Sequence, residues 1–328
     1  MVSEAIKTSE IEGEYLNRDD VRSSIRNCLG LSNPPERVGN VKAEGISALM
    51  VSVRSTFHQL LTEELLLYWH KLVMHTDQES ATDLLGRNFE VGQWRTEAME
   101  IVSGPIAYEK THFIAPPAEY LAQEMKQFID WFNNTHPMHS NSQMPGPVRA
   151  AIAHIWFESI HPFSDGNGRI GRALSEIILA QDMQSPVLLS LSTEIEANKK
   201  HYYEELGSAS KDLNITQWIT WFVNLINNAQ IKSQSIIDHV LSKARFWDKH
   251  INTIMNTRQE KAIKKLFQHE PSGFEGGLTA KKYMSITKCS KATATRDLTD
   301  LRDKAILIEM DAGRSTKYIL SLDNNIKK

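Results

Sequence analysis

The chain has 328 residues and a mass of 37.3 kDa, which is enough for one large domain and a smaller one. Hydrophobic residues make up 41% and charged residues 23%, the balance of an ordinary globular protein, and this excludes a fibrous or low-complexity chain. No apolar run approaches the ~18 residues of a membrane-spanning helix, and Cys28 and Cys289 match no metal-binding spacing. We therefore expect no membrane partner, no disulfide framework and a cytoplasmic location.

Charge is divided unevenly along the chain. Residues 246–328 hold 16 Lys and Arg against 10 Asp and Glu, whereas the preceding residues hold 21 basic against 30 acidic side chains. A module of net charge +6 behind a body of net charge −9 indicates two tasks on one chain. The basic module could contact nucleic acid, or it could simply carry a solvated basic face. We divide the chain into an N-terminal helical segment (1–56), a large domain (57–245) and a small C-terminal domain (246–328).

The predicted elements of the first two parts are mostly helices. The first covers Ile11–Cys28, and Asn33-Pro34-Pro35 then forces an extended turn, because proline disfavours helix in the residue before it. Further helices are predicted at Ala43–Leu61, Glu63–His75, Ala118–Phe132, Pro147–Ile160, Arg169–Gln181, Thr193–Leu206 and Ile215–Lys243.

One segment among these helices has a β pattern. Between Gly92 and Ala115, β-branched and aromatic residues form two short runs, Trp94–Val102 and Lys110–Ile114, separated by Ser103-Gly104-Pro105. This pattern predicts a β-hairpin with a long turn. The fold class predicted for the large domain is therefore mainly α with one hairpin.

The C-terminal domain has the order of a winged helix. Its predicted helices are Thr257–His269, Ala280–Ser285 and Lys291–Lys304, followed by strands at Ile306–Met310 and Thr316–Leu320. The third helix would be the recognition helix, and the side chains that could meet DNA are Lys291, Thr293, Thr295, Arg296 and Arg302 on this helix and Arg314 and Lys317 on the wing. Asp297, Asp300 and Asp303 lie on the same helix and would repel DNA, so a DNA partner and a protein partner both stay open.

The most informative stretch is residues 161–172, which read His-Pro-Phe-Ser-Asp-Gly-Asn-Gly-Arg-Ile-Gly-Arg between two predicted helices. Gly166 and Gly168 allow the backbone to approach a ligand closely, and the N-terminus of the following helix attracts anions. Arg169 and Arg172 are three residues apart and project from one side of that helix. Two guanidinium groups above such a site suit a di- or triphosphate.

Two further residues of the stretch supply the chemistry. Asp165 would oppose the phosphates unless a hard cation such as Mg²⁺ lay between them, held by the carboxylate and by phosphate oxygens. His161 is the group whose usual pKa lies near neutral pH, so it is fit to accept a proton from an incoming hydroxyl. Together these residues predict phosphoryl or nucleotidyl transfer.

These twelve residues closely resemble the signature of the Fic family, which reads His-Pro-Phe, two residues, Gly-Asn-Gly-Arg, two residues, Arg. The resemblance implies a Fic-type helical core with a hairpin flap, and transfer of AMP from ATP to a Ser, Thr or Tyr hydroxyl of a target protein. It implies that His161 is the general base, that Asp165 holds Mg²⁺, and that Asn167 with the amides of Gly166 and Gly168 binds the α-phosphate. Arg169 and Arg172 would bind the distal phosphates, and Phe163 would anchor the loop.

A second motif near the N-terminus resembles the inhibitory motif of the same family. It runs from Thr8 to Gly13, with Glu12 four residues after Thr8. The resemblance implies that Glu12 pairs with Arg172 and so keeps ATP from binding in a reactive pose. The alternative is a simple helix-start signal, in which a hydroxyl residue caps a helix ahead of a glutamate.

The resemblance implies three further contacts. The hairpin at 92–115 would hold the target protein by strand addition. Asn198 would contact the ribose or base, and Tyr202 or Tyr203 would pack on the adenine ring, although tyrosines at helical spacing are also common core residues. A homodimer is implied by the resemblance alone.

Two other functions remain open at this point. Relatives within the family move UMP, phosphate or phosphocholine, or remove AMP, but Asp165 and both arginines favour a triphosphate in the usual orientation, so AMP is the leading prediction. The chain could also be a DNA-binding regulator whose nucleotide-binding body only senses its ligand. A zinc site at His154, Glu158 and His161 is disfavoured, because the spacing is not that of a His-Glu-x-x-His helix and Pro162 places His161 in a loop.

Overall fold

The computed structural model describes residues 1–75, 80–82, 88–103, 110–138, 144–211, 213–267, 277–310 and 316–322. As the sequence predicts, helices dominate, and their contacts divide the chain into two units, Met1–Gln230 and Ile231–Lys328. The first unit contains α1 (Val2–Ile11), α2 (Arg18–Cys28), α3 (Val41–Thr56), α4 (Glu63–Met74), α5 (Leu121–Asn134), α6 (Gly146–Ile160), α7 (Asn167–Met183), α8 (Leu191–Ala197) and α9 (Lys199–Ala209). The long α10 (Thr216–Lys249) begins in the first unit and ends in the second.

The N-terminal segment corrects one prediction, because a single helix over Ile11–Cys28 is wrong. Helix α1 ends at Ile11, where Gly13 takes a left-handed conformation (φ +84°) that helical residues do not adopt. Helix α2 begins seven residues later, after Asn17, whose side chain accepts a hydrogen bond of 2.7 Å from the Asp19 amide. The predicted helix over Thr193–Leu206 is likewise broken, into α8 and α9 at Asn198.

The core of the first unit is built around α6 and α7. Helix α7 is buried along nearly its whole length, and α6 contributes Phe157 and Ile160 to the same apolar cluster. Helix α6 is apolar on most sides, and such a helix must lie inside the fold, so α5 and α7 pack against it, while α1, α3 and α4 pack on α7. The segment between α6 and α7, which carries the signature, is therefore held at both ends by buried helices.

The predicted hairpin is present as the antiparallel pair β3 (Glu100–Ser103) and β4 (Lys110–Ile114), in the register Glu100↔Ile114. The Ala115 amide donates to the Met99 carbonyl at 3.0 Å and closes its base. Its turn, residues 104–109, lies outside the described residues. A second pair, β1 (Ser80–Thr82) with β2 (Asn88–Glu90), was not predicted, because three-residue strands are too short to show an alternating pattern.

The second unit has its own core and the order of elements that the sequence predicts. It contains α11 (Thr257–Phe267), α12 (Ala280–Thr287) and α13 (Lys291–Asp303), followed by β5 (Leu307–Glu309) paired antiparallel with β6 (Tyr318–Leu320). Its apolar cluster includes Ile263, Tyr283, Leu298 and Leu301. The turn between the strands, with Arg314, lies outside the described residues. No helix in the described part of either unit is both long and apolar enough to cross a membrane.

Candidate active site

The loop between α6 and α7 begins at His161, which ends α6 in a left-handed conformation (φ 50°, ψ 60°). Its amide still donates to the Phe157 carbonyl at 3.0 Å, so the chain turns sharply at this residue. Two residues on, Phe163 is fully buried, with its ring stacked 4.1 Å from that of His70 and 5.0 Å from that of Trp94. The core therefore anchors the loop through Phe163, as the sequence analysis expects.

Asn167 and Gly166 give the loop its shape. The side-chain amide of Asn167 forms two hydrogen bonds with the backbone of Phe163, accepting from its N–H at 3.0 Å and donating to its carbonyl at 2.7 Å. Gly166 has φ +85°, and a Cβ there would lie 2.9 Å from Val73 Cγ1, so both conformation and space require glycine. Because the side chain of Asn167 is engaged within the loop, a phosphate contact of this residue would come from its backbone N–H at the start of α7.

His161 is half-buried at the edge of this loop. Its Nδ1 lies 3.4 Å from the backbone carbonyl of Glu158 and 3.9 Å from Glu158 Oε2. Burial lowers the pKa of His161 to about 4, a hydrogen bond to the Glu158 backbone opposes that shift, and the nearby Arg95 reinforces it. The imidazole is therefore neutral at pH 7, with Nδ1 turned towards Glu158 and Nε2 left to accept a proton.

Asp165 lies at the mouth of the loop and is exposed. Its Oδ1 accepts a hydrogen bond of 2.5 Å from the Gly166 amide and lies 3.6 Å from Arg169 Nη2. One exposed carboxylate beside a helix N-terminus fits Mg²⁺, which binds proteins through one or two carboxylates and takes its other ligands from phosphates and water. Among the described residues, no group of three or more His, Cys, Asp and Glu side chains could hold a metal by itself.

The second signature arginine is paired with the N-terminal segment. Arg172 is buried and donates from Nε to Thr8 Oγ1 at 2.8 Å, and from Nη2 to the Thr8 carbonyl at 3.0 Å and to Glu12 Oε1 at 2.7 Å. Burial would lower the pKa of Arg172, but the facing Glu12 carboxylate raises it above its usual value. A Cβ at position 168 would lie 2.4 Å from Glu12 Oε1, so Gly168 leaves the room that this glutamate occupies.

The first signature arginine is paired as well, by a residue that the sequence analysis missed. Arg169 Nη1 donates to Glu14 Oε2 at 2.9 Å, and Glu14 Oε1 also accepts from Lys42 Nζ at 2.6 Å. Burial would raise the pKa of Glu14, but His75, Arg169 and Lys42 together lower it to about 2. Glu14 lies outside the inhibitory motif, and only the turn at Gly13 brings it towards Arg169, so no sequence pattern points to it.

The residues predicted to contact adenosine have different environments. Tyr202 is fully buried, and its hydroxyl lies 2.8 Å from His154 Nε2, so it is a core residue. The ring of Tyr203 is 5.0 Å from that of Tyr202, and 44% of the residue is exposed. Asn198 is exposed between α8 and α9 and donates to the Glu194 carbonyl at 3.0 Å. Tyr203 and Asn198 are accessible to a ligand and stay predictions.

Comparison with known proteins identifies the domain that carries this loop. A profile described as "Fic/DOC family" matches residues 60–179, a range that includes the hairpin, α6, the loop and most of α7. The chain contains a Fic/DOC domain. Ahead of the Fic domain, residues 1–31 match a second profile, described as "Domain of unknown function (DUF4172)". That range includes α1 and the two glutamates, Glu12 and Glu14, that pair with the arginines of the Fic loop.

Curated relatives match the Fic domain but are longer than this chain. "Protein adenylyltransferase fic-1" of Caenorhabditis elegans is 27% identical over 207 residues, covering 62% of this chain and 35% of the relative. The protein of the same name from Caenorhabditis briggsae is 34% identical over 114 residues, covering 35% of this chain and 20% of the relative. "Protein adenylyltransferase Fic" of Nematostella vectensis is 33% identical over 98 residues, covering 30% and 21%. The matched part of the chain thus spans 20% to 35% of the length of these relatives.

Solved structures support the fold. A Fic family protein from Desulfovibrio desulfuricans G20 superposes with a TM-score of 0.54 at 19% identity, covering 97% of this chain and 85% of that one. Fic-1 from C. elegans superposes with a TM-score of 0.50 at 22% identity, covering 74% and 64%. At these identities the likeness concerns the fold alone.

Proposed function

We propose that the chain is a protein adenylyltransferase that transfers AMP from ATP to a hydroxyl side chain of a target protein. The observation that carries the proposal is a neutral His161 beside a helix N-terminus with two arginines on its first turns. The names of the curated relatives, which are protein adenylyltransferases, support the choice of AMP.

The residues divide the reaction between them. The target hydroxyl oxygen attacks the α-phosphorus, the bond from the α-phosphorus to the oxygen bridging to the β-phosphate breaks, and pyrophosphate leaves. His161 Nε2 takes the hydroxyl proton, since Nδ1 is turned towards Glu158. Amides at the start of α7 face the α-phosphate, where they stabilise negative charge, and Arg169 and Arg172 bind the distal phosphates. Mg²⁺ held by Asp165 would supply further neutralisation of phosphate charge.

The N-terminal segment restrains this reaction in our proposal. Arg172 cannot pair with Glu12 and with a γ-phosphate through the same Nη2 donor, so ATP must displace Glu12 to bind productively. Glu14 competes in the same way for Arg169. The proposal includes Thr8, which holds the guanidinium of Arg172 in place through its hydroxyl and carbonyl.

Labelled ATP tests the transferred group. The variants Glu12→Gly and Glu12→Gly/His161→Ala are incubated with a lysate of candidate targets and ATP labelled at either the α- or the γ-phosphate. We expect protein-bound label from the α-position only, lost with His161→Ala. Label from the γ-position alone would make the chain a kinase. No label from either position, although ATP binds, would favour another donor or a nucleotide sensor.

We further propose that the second unit is a winged-helix module with DNA as its partner. Of the three aspartates that would repel DNA, Asp297 is buried and accepts from Arg258 Nε at 2.8 Å and from the Tyr283 hydroxyl at 3.0 Å, and the exposed Asp303 pairs with Arg302 at 2.9 Å. Asp300 pairs with Lys304 at 2.7 Å. The exposed side of α13 keeps Lys291, Thr295 and Arg296.

Fluorescence anisotropy with duplex DNA tests this second proposal. We expect affinity that falls as salt increases and that is weakened by Lys291→Ala/Arg296→Ala, since phosphate contacts release counterions. A salt-independent result, or no binding, would favour the alternative of a protein partner.

We also propose that the chain works in a reducing cytoplasm, since Cys28 and Cys289 are both free thiols, and that it forms a homodimer.

A further inference from the structure

A buried arginine joins the two ends of the hairpin to the loop that carries His161. Arg95 lies in the segment between β2 and β3, and only 5% of it is exposed. Its guanidinium donates to four backbone carbonyls: Glu97 at 2.7 Å, Pro116 at 2.6 Å, His161 at 2.8 Å and Ile160 at 3.3 Å. Its own amide donates to the carbonyl of Pro162 at 2.9 Å.

These contacts form a bridge between two parts of the site. Glu97 precedes β3 and Pro116 follows β4, so two of the carbonyls belong to the base of the hairpin. The other two belong to Ile160, the last residue of α6, and to His161. The predicted target-binding flap and the predicted base therefore share one side chain as a common support.

Burying the guanidinium of Arg95 among carbonyls costs desolvation free energy. Burial of a cation carries a desolvation penalty, and within the described ranges the guanidinium of Arg95 donates to backbone carbonyls and to no carboxylate. The negative end of the α6 dipole offsets part of that cost, because two of the carbonyls are at the helix C-terminus. Lysine could not replace the guanidinium, since a single ammonium group lacks the planar fork that reaches carbonyls in two directions.

We propose that Arg95 is a positioning residue for the transfer reaction, coupling the base of the hairpin to the backbone of His161 so that a target held by the hairpin meets a correctly placed imidazole. The proposal rests on the proposed function, because it assigns His161 the role of the base. Arg95 itself acts through the carbonyls of Ile160 and His161 and contacts neither substrate.

The charge of Arg95 adds a second effect that can be measured. Two charged groups influence the imidazole of His161, Arg95 and Glu12 of the N-terminal segment, whereas burial raises the pKa of the Glu158 carboxyl beside Nδ1 to about 8 and leaves it mostly protonated at pH 7. Burial is the main cause of the lowered pKa of His161, Arg95 lowers it further, and Glu12 raises it. Removing the Arg95 charge should therefore raise the pKa of His161, whereas moving the charge without removing it should not.

Two substitutions of Arg95, made in the Glu12→Gly background, separate the effect of its hydrogen bonds from the effect of its positive charge. Arg95→Lys keeps the charge but loses the fork, and Arg95→Gln loses both. We expect kcat to fall roughly 10- to 100-fold in each, because a displacement of about 1 Å at a reacting group can cost that much. The KM for ATP should stay within about twofold, since the phosphate-binding residues are untouched. The acid limb of the kcat–pH profile should move to higher pH in Arg95→Gln only.

Arg149 provides a matched control within α6. It is also buried and donates to a backbone carbonyl, that of Phe132, at 2.6 Å, but it lies in the first turn of the helix, away from His161. Arg149→Gln should lower the melting temperature without moving the pH limb. If the Arg95 variants lost kcat only in proportion to their folded fraction, as Arg149→Gln would, the positioning role would be overturned. Full activity in Arg95→Lys would overturn it as well.

A readout that does not require activity keeps this inference separate from the proposed function. The ring carbons of ¹³C-labelled histidines report the pKa of His161 by NMR, and the resonance is assigned with His161→Ala. We expect the pKa of His161 to rise in Arg95→Gln and to stay unchanged in Arg149→Gln. An unchanged pKa and ring shift in Arg95→Gln would refute the coupling even if no transfer were detected, whereas absent transfer with a shifted pKa would refute only the proposed function.

Discussion

At the scale of single residues, the two signature arginines are both paired with carboxylates of one short segment. Glu12 reaches Arg172 at 2.7 Å and Glu14 reaches Arg169 at 2.9 Å. The sequence predicted the first pair, because Glu12 lies in a recognisable motif. It did not predict the second, since the position of Glu14 depends on a turn whose φ angle no pattern reveals. Arg95 was not predicted either, because it is a single arginine in an irregular segment and belongs to no motif.

Releasing Arg169 should strengthen ATP binding. In a His161→Ala background, which prevents turnover, we expect Glu14→Gln to tighten ATP binding about fivefold, the equivalent of losing a competing ion pair worth roughly 1 kcal/mol. Isothermal titration calorimetry measures the change. Glu10→Gln is the matched control, because Glu10 lies in α1 but pairs with Lys7 instead of a signature arginine. Equal affinities for all three proteins would show that Glu14 does not compete with ATP.

The pairing of Glu14 should also appear in acid stability. Its folded pKa of about 2 lies below the usual value of 4.5, so its contribution is fully present above pH 4.5 and is lost as the pH falls towards 2. The shift corresponds to at most about 3 kcal/mol. We expect Glu14→Gln to lower the free energy of unfolding in urea at neutral pH, and the difference from wild type to shrink as the pH falls below 4.5. A difference that stayed constant with pH would contradict the assigned pKa.

At the scale of elements, helix ends were predicted best where a glycine or a proline lies at the boundary. The ends of α6 and α7 were predicted to within about two residues, because Pro147, Pro162 and Gly166 mark them. The break between α1 and α2 was missed, since Glu12 and Glu14 favour helix and only Gly13 opposes it. Tyr202 shows the opposite limit: a tyrosine beside the site is a core residue, and periodicity alone does not tell which of two adjacent tyrosines is buried.

The turn at Gly13 should act as a hinge for restraint. Nothing lies within 4 Å of a Cβ at this position, but φ is +84°, so Gly13→Ala adds about 1–2 kcal/mol of backbone strain without a clash. Relief of that strain moves Glu12 and Glu14, and we expect the rate of AMP transfer to rise several-fold. Gly30→Ala is the control, with φ +66° and equally open space at the end of α2. If both variants lost similar stability and neither gained activity, the turn would have no part in restraint.

At the scale of the whole molecule, the chain has two cores. The sequence predicts a boundary near residue 246 from the change in charge, and the contacts divide between Gln230 and Ile231, within α10. A continuous helix gives no compositional signal where its packing partner changes, which explains why the two positions differ. The Fic domain was predictable because a twelve-residue signature identifies it, whereas the sequence does not identify the partner of the second unit.

Two cores predict two unfolding transitions. Leu298 is buried in the second unit, and Leu298→Ala should lower the stability of that unit by about 2–5 kcal/mol. Differential scanning calorimetry should show one transition moved and the other unchanged, with AMP transfer by the Glu12→Gly protein unaffected. Leu174→Ala in α7 should move the other transition. A single transition that shifted as a whole in both variants would contradict independent cores.

In our proposal, Glu12 holds back AMP transfer by occupying Arg172. The decisive measurement is the initial rate at which label from α-labelled ATP enters protein, compared between wild type, Glu12→Gly and the control Glu10→Gln. A charged hydrogen bond of about 1.5–3 kcal/mol predicts a rise of roughly 10- to 100-fold for Glu12→Gly and no rise for Glu10→Gln. Equal rates in wild type and Glu12→Gly, with ATP bound equally well by both, would contradict it.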